Sequence, residues 1–127
     1  ADISADNKVG VITAHFLSKR RNSKKKDLNR QRQAKALVKA ISVLSKRSRR
    51  LVVLGDFNDT IDSPTLNLLT AKLEKDLIND CSGKALSAYQ VKKRIDHILF
   101  TGFDCVLQKS IDLKKYSDHE AIMVTLN

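Results

Sequence analysis

Apolar positions along the chain switch between two spacings, and the switches outline its elements. Near the start, Lys8-Val9-Gly10-Val11-Ile12-Thr13-Ala14-His15-Phe16 is an apolar, β-branched run that predicts a strand. Over 27–45 the period lengthens. Ala34, Leu37, Val38, Ile41 and Leu44 recur at three- and four-residue steps, one face of a helix whose start Asp27 or Asn29 can cap. Leu51-Val52-Val53-Leu54 is a short continuous apolar run, as expected of a strand buried on both faces. Ser63-Pro64 then reads as the cap and first turn of a second helix with a buried stripe of Leu66, Leu69 and Leu73. Residues 79–92 show little periodicity and read as a loop, and strands follow over 95–100, 105–111 and 121–126. Strands mixed with two helices predict an α+β fold, a β-sheet with helices packed on one face.

Length and composition narrow the class. A chain of 127 residues forms one domain, 1–127, large enough to bury a core. No apolar run approaches the roughly 20 residues of a membrane span, so no transmembrane segment is expected. The start, Ala1-Asp2-Ile3-Ser4, lacks the basic-then-apolar order of a signal peptide. Cys81 and Cys105 fit no metal spacing and read as buried free thiols rather than a disulfide framework.

Charge changes the picture more. The formal net charge is +10, and fourteen of the 24 basic residues lie between Lys19 and Arg50, against Asp27 as the one acid there. So one-sided a segment favours a polyanionic partner, nucleic acid first and an acidic membrane surface second. Lys19, Arg20, Arg21, Lys24, Lys25 and Lys26, in a basic loop, and Arg30 beyond it are the expected nucleic-acid contacts. The few aromatic residues are scattered, which argues for duplex or backbone recognition over single-strand stacking.

Three segments at strand ends carry chemistry: Gly55-Asp56-Phe57-Asn58-Asp59, Arg94-Ile95-Asp96-His97 and Ser117-Asp118-His119. If the backbone stays extended past Leu54, Asp56 and Asn58 share one side and Phe57 takes the other. A carboxylate and an amide so placed can share a phosphate and a divalent cation, Asp56 holding the metal or the attacking water. A Gly-Asp turn with Asn58 bonded to its own backbone is the structural alternative. Asp96 needs a partner, and His119 can be it, since a carboxylate fixes the imidazole tautomer and raises its pKa. His97, on the opposite face of its strand, is expected to be packed rather than a ligand.

These residues carry a resemblance. Leu51 to Thr60 with Asp62-Ser63-Pro64 looks like the central motif of the endonuclease/exonuclease/phosphatase (deoxyribonuclease I-like) superfamily. Arg94 to Leu99 and Ser117-Asp118-His119 resemble its two later motifs. Thr13-Ala14-His15-Phe16-Leu17-Ser18 is similar to its earlier strand, with Thr13 where Asn is usual. The resemblance implies a Mg²⁺- or Mn²⁺-dependent phosphodiesterase, a nuclease ahead of a phosphatase or phospholipase on inositol or sphingolipid headgroups. A non-catalytic fragment that binds nucleic acid or a partner is the alternative outside hydrolases.

By the same resemblance Asp56 orients or deprotonates the water, and Asn58 binds the scissile phosphate. Asp118 joins Asp56 at the metal, His119 contacts the phosphate and is oriented by Asp96, and His15 adds a phosphate-side contact. The likeness is to the C-terminal half of a four-layer αββα sandwich. The family's main metal-binding glutamate belongs to the other half, and neither Glu74 nor Glu120 matches it. Leaving several hundred Å² of sheet face wet would cost on the order of 10 kcal/mol. The N-terminal half is therefore expected on a separate chain, or its place taken by self-association.

Overall fold

The computed structural model describes residues 7–74, 78–79 and 93–127. Their order is β1 (Val9–His15), α1 (Lys24–Ser45), β2 (Arg50–Asp56), α2 (Pro64–Glu74), β3 (Ile78–Asn79), β4 (Asp96–Thr101), β5 (Cys105–Ile111) and β6 (Ala121–Leu126). A four-stranded sheet runs β1-β2-β4-β3, and β5 and β6 form a second, two-stranded ladder. β1 and β2 are parallel, so α1 is the crossover that returns the chain between them. β4 lies antiparallel to β2, and β5 to β6.

Alternation divides the main sheet into two faces. Leu51 and Val53 of β2 and Leu99 of β4 point to the helical side. There they meet Ala34, Leu37 and Ile41 of α1, Leu66 and Leu69 of α2, and Phe16 and Phe57 in one core. Both helices lie on this one face, as the α+β reading expects. The other face carries Val52 and Phe100, against which Cys105, Phe103, Val124 and Leu126 pack. β2 is thus covered on both faces, fully on the helical side and partly on the other, where Val52 and Leu54 stay half-buried. At the β1 edge of that outer face, Val9 and Val11 are exposed.

Local chemistry explains the boundaries. α1 begins three residues before the predicted start because the Ser23 side chain accepts from the Lys26 N–H at 3.2 Å. Lys24, Lys25 and Lys26, expected in a loop, are therefore its first turn. Basic residues oppose the dipole there, which hid the start, and Asp27 in the same turn offsets them. α2 starts as read: Ser63 Oγ accepts from the Leu66 N–H at 3.1 Å and Pro64 is the first helical residue. The side chain of Leu73 and most of the expected loop over 79–92 lie outside the described residues. The short strand β3, which holds Asn79, was not anticipated. Cys105 is disulfide-bonded, which corrects the expectation of free thiols. Cys81 lies outside the described residues.

Gly55 makes the close approach of β1 to β2 possible. Its φ is +152°, and a Cβ there would stand 1.8 Å from the Ala14 carbonyl oxygen. No rotamer relieves a clash with backbone. Gly55→Ala should therefore cost roughly 3 kcal/mol or more, read as a lower urea midpoint at unchanged slope; an unchanged midpoint would contradict this account of the strand pair.

Candidate active site

The strand register builds the site. In β1, β2 and β4, His15 pairs with Asp56 and Asp56 with Asp96. Cα partners share a face, so the three side chains stand in one row across the outer face at a single end of the sheet. β6 brings the fourth group. Its far end is held by paired backbone bonds between Asp104 and Asn127, at 2.8 and 2.9 Å. Its near end delivers His119, just before Ala121, over the row.

There His119 Nδ1 lies 2.6 Å from Asp96 Oδ2, the expected contact, and its Nε2 lies 3.8 Å from Asp56 Oδ2. His15 Nε2 approaches the same Asp56 oxygen at 3.6 Å. The other Asp56 oxygen accepts the Asn58 N–H at 2.9 Å. Asp56 Oδ2 is thus the oxygen turned to both imidazoles. With Asp56, Asp96 and His119, the residues Leu54, Gly55, His97, Ile98, Glu120 and Ile122 line a cavity of about 300 Å³.

The electrostatics follow from these contacts. The hydrogen bond that His119 Nδ1–H donates to Asp96 raises the His119 pKa above the ordinary histidine value. Burial opposes the shift, and the charges of Asp96, Asp56 and Asp118 reinforce it. The imidazole is therefore held toward its cationic form with Nδ1 committed to Asp96, which leaves Nε2 to face the cavity.

Past β2 the chain departs from the alternation expected of an extended strand. Extension stops at Asp56, and Asn58 turns into left-handed backbone with φ +50°. Asp56, not Asn58, makes the side-chain bond of this turn. The Asn58 side chain is buried, and its Nδ2 donates to the Phe16 carbonyl at 2.7 Å, tying the loop to the end of β1. Asp118 is almost wholly exposed, 4.0 Å from His119 Nε2, at the rim of the site. His97 is packed, as expected, stacked on Phe57 with Nε2 2.8 Å from the Asp59 carbonyl oxygen.

Arg30 corrects the list of nucleic-acid contacts. It is fully buried and binds inward, to the carbonyls of Leu17 and Ser18, to Asn22 and to Asp27. Its Nε also lies 3.5 Å from Asp59. Lys19, the second of those contacts to turn inward, reaches Asp59 at 2.6 Å. Burial works against the Asp59 charge, but the Lys19 and Thr65 hydrogen bonds and the Lys19 charge more than offset it and hold its pKa low. This cluster joins the loop after β1 to the loop after β2, behind the row. Its signal was present in the sequence, because Arg30 falls on the apolar stripe of Ala34, Leu37 and Ile41.

The ligand atoms of Asp56, Asp96 and His119 lie within 4.8 Å of one another, the one such cluster among the described residues. Its donors suit a hard divalent cation through carboxylate oxygen. His119, bonded to Asp96 and drawn toward its charged form, is poorly suited to be a ligand. Because its folded pKa is raised, its contribution to stability is fully present below the unfolded value and is lost as pH rises through the folded one. The His119 ring resonances should titrate above an ordinary histidine, and Asp96→Asn should move the midpoint down; equal midpoints would remove Asp96 as its partner.

A model of the Endonuclease/Exonuclease/phosphatase family matches residues 5–119. No curated protein matches the chain. Among solved structures, a functionally unknown conserved protein from Enterococcus faecalis V583 aligns with TM-score 0.67 and 14% identity, over 92% of this chain and 49% of that one. An endonuclease/exonuclease/phosphatase from Beutenbergia cavernae DSM 12333 aligns with TM-score 0.66 and 18% identity, over 91% and 35%. The human Nocturnin catalytic domain with bound sulfate gives 0.60 and 18%, over 91% and 47%. The chain spans half or less of the length of each of these structures. At such identities the structures speak for the fold, while the family model covers most of the sequence, including Asp56, Asp96 and His119: the chain belongs to the endonuclease/exonuclease/phosphatase family of hydrolases.

Proposed function

We propose that the protein is a divalent-metal-dependent phosphodiesterase whose substrate is nucleic acid. The observation that carries this reading is the meeting of Asp56, Asp96 and His119 at one end of the sheet. Asp56 and Asp118 would hold Mg²⁺ or Mn²⁺, which when bound supplies Lewis-acid polarisation of a phosphate oxygen. The chain's own groups do the rest. Asp96 keeps the His119 proton on Nδ1 and favours the charged ring, whose Nε2–H would donate to a non-bridging phosphate oxygen and stabilise charge that develops there. Asp56 Oδ2, held by the Asn58 N–H on its other oxygen, accepts the proton of the attacking water. His15 adds a second donor from β1. Asn58 acts by fixing the loop to Phe16.

The basic surface supports nucleic acid over a lipid headgroup, with Arg20, Arg21, Lys24 and Lys25 exposed on the loop and first turn that follow β1. In this reading residues 1–127 act as one domain, the C-terminal half of the family's sandwich. Val9 and Val11 mark the part of the sheet face that the family's other half would cover.

The test is turnover of plasmid DNA, RNA and phosphoinositide by the protein isolated with any polypeptide that travels with it. Cleavage of nucleic acid should require Mg²⁺ or Mn²⁺ and stop with chelator. His119→Ala or Asp56→Ala should lower the rate by about 10²–10⁴ with the fold intact by circular dichroism. Turnover confined to the phosphoinositide would reject nucleic acid as substrate, and full activity in either variant would reject the site.

A further inference from the structure

The outer face of α1 carries a straight row of cations that the candidate site does not use. At about 100° per residue, the buried Arg30, Ala34, Leu37 and Ile41 fall on one line of the helix. Lys25, Arg32, Lys39 and the C-cap Lys46 repeat every seven residues on the opposite line, and all four are exposed. A seven-residue repeat drifts only about 20° per step, so the four stay in one row about 32 Å long. Exposed Lys24 and Lys35 flank it. The helix has one acid, Asp27, and that side chain is turned to Arg30 and Asn22. Nothing along the row neutralises it from within α1.

The row also has a direction. α1 leaves the sheet after His15 and returns to β2, which is parallel to β1, so the Lys25 end lies toward the Asp56 row and the Lys46 end away from it. Meanwhile three residues of the basic segment are occupied. Lys19 binds Asp59, the Lys26 ammonium donates to the Arg20 carbonyl, and Arg30 is buried. The free charge of the segment is therefore on the helix more than in the loop.

We propose that this face of α1 is a second contact surface for duplex nucleic acid, one that tracks the phosphate backbone away from the cleavage site and contributes affinity rather than chemistry. The proposal rests on nucleic acid being the substrate. A linear row of fixed cations matches a linear row of phosphates. The face has no aromatic side chain on which bases could stack, which favours a duplex. Insertion into a membrane needs an apolar helix face, and the apolar stripe of α1 is already spent on the core, leaving Leu28 and Val43 as the large aliphatic residues exposed on the helix.

The experiment is fluorescence anisotropy of a labelled duplex of about 20 base pairs across a salt series, using Asp56→Asn protein so that binding is read without cleavage. Neutralising two row charges, Arg32→Gln with Lys39→Gln, should weaken binding and reduce the slope of log K against log salt by about 2. Both residues are exposed, and circular dichroism checks the fold. An unchanged slope and affinity overturns the surface even if the enzyme cuts DNA. Conversely, the predicted loss of slope sustains it even if no cleavage is ever found. Vesicles containing phosphatidylserine form the second arm: a pair of substitutions that abolishes vesicle binding and spares the duplex would assign the face to membranes and overturn the proposal.

Discussion

The hydrogen bond between Asp96 and His119 joins the two sheets of the domain at the end where the candidate site lies. Asp96 comes from the four-stranded sheet and His119 from the approach to β6. Their 2.6 Å contact is made where the outer face of the main sheet passes from apolar to ionic. Along that face, Phe100 and Val52 pack against Cys105, Val124 and Leu126 at one end. At the other end the same strands present Asp96 and Asp56. The β5–β6 ladder is therefore held by burial at one end and by charge at the other. Were the ionic anchor absent, His119 would have no fixed tautomer, and Asp56 would face a mobile ring.

Precision at the row depends on structure behind it. Gly55 lets β1 approach β2 closely enough for His15 and Asp56 to stand abreast. The buried Arg30, with Lys19 and Asp59, binds the two loops that continue from these strands. A fully buried guanidinium is costly to desolvate, and such groups persist when several acceptors meet them at once. Here the carbonyls of Leu17 and Ser18 and the side chains of Asn22 and Asp27 do so. Lys19 and Arg30 thus serve to hold loops in place, while Lys25, Arg32 and Lys39 of α1 are exposed.

Much of this was legible in the sequence, for physical reasons that can be named. β5, β6 and the start of α2 followed from β-branched runs and from Ser63-Pro64, signals that depend on neighbours in the chain. The pairing of Asp96 with His119 followed from the need of a half-buried carboxylate for a partner. What failed depended on three dimensions. Alternation past Leu54 placed Asn58 beside Asp56, but the Asx turn made by Asp56 ends the strand and rotates Asn58 inward. Counting charges made Arg30 a surface residue, although its position on the apolar stripe marked it as buried. The disulfide of Cys105 could not be read from the spacing of two cysteines.

The central claim is that Asp96 acts on phosphate only through His119. A double-mutant cycle on cleavage rate tests it most directly, with Asp96→Asn, His119→Ala and the pair measured on one substrate in the same buffer. If the two work as a unit, the pair should lose no more activity than His119→Ala alone, because removing the ring removes everything Asp96 does. Losses that add in free energy, each substitution costing its full amount in the presence of the other, would contradict the account and give Asp96 a separate role.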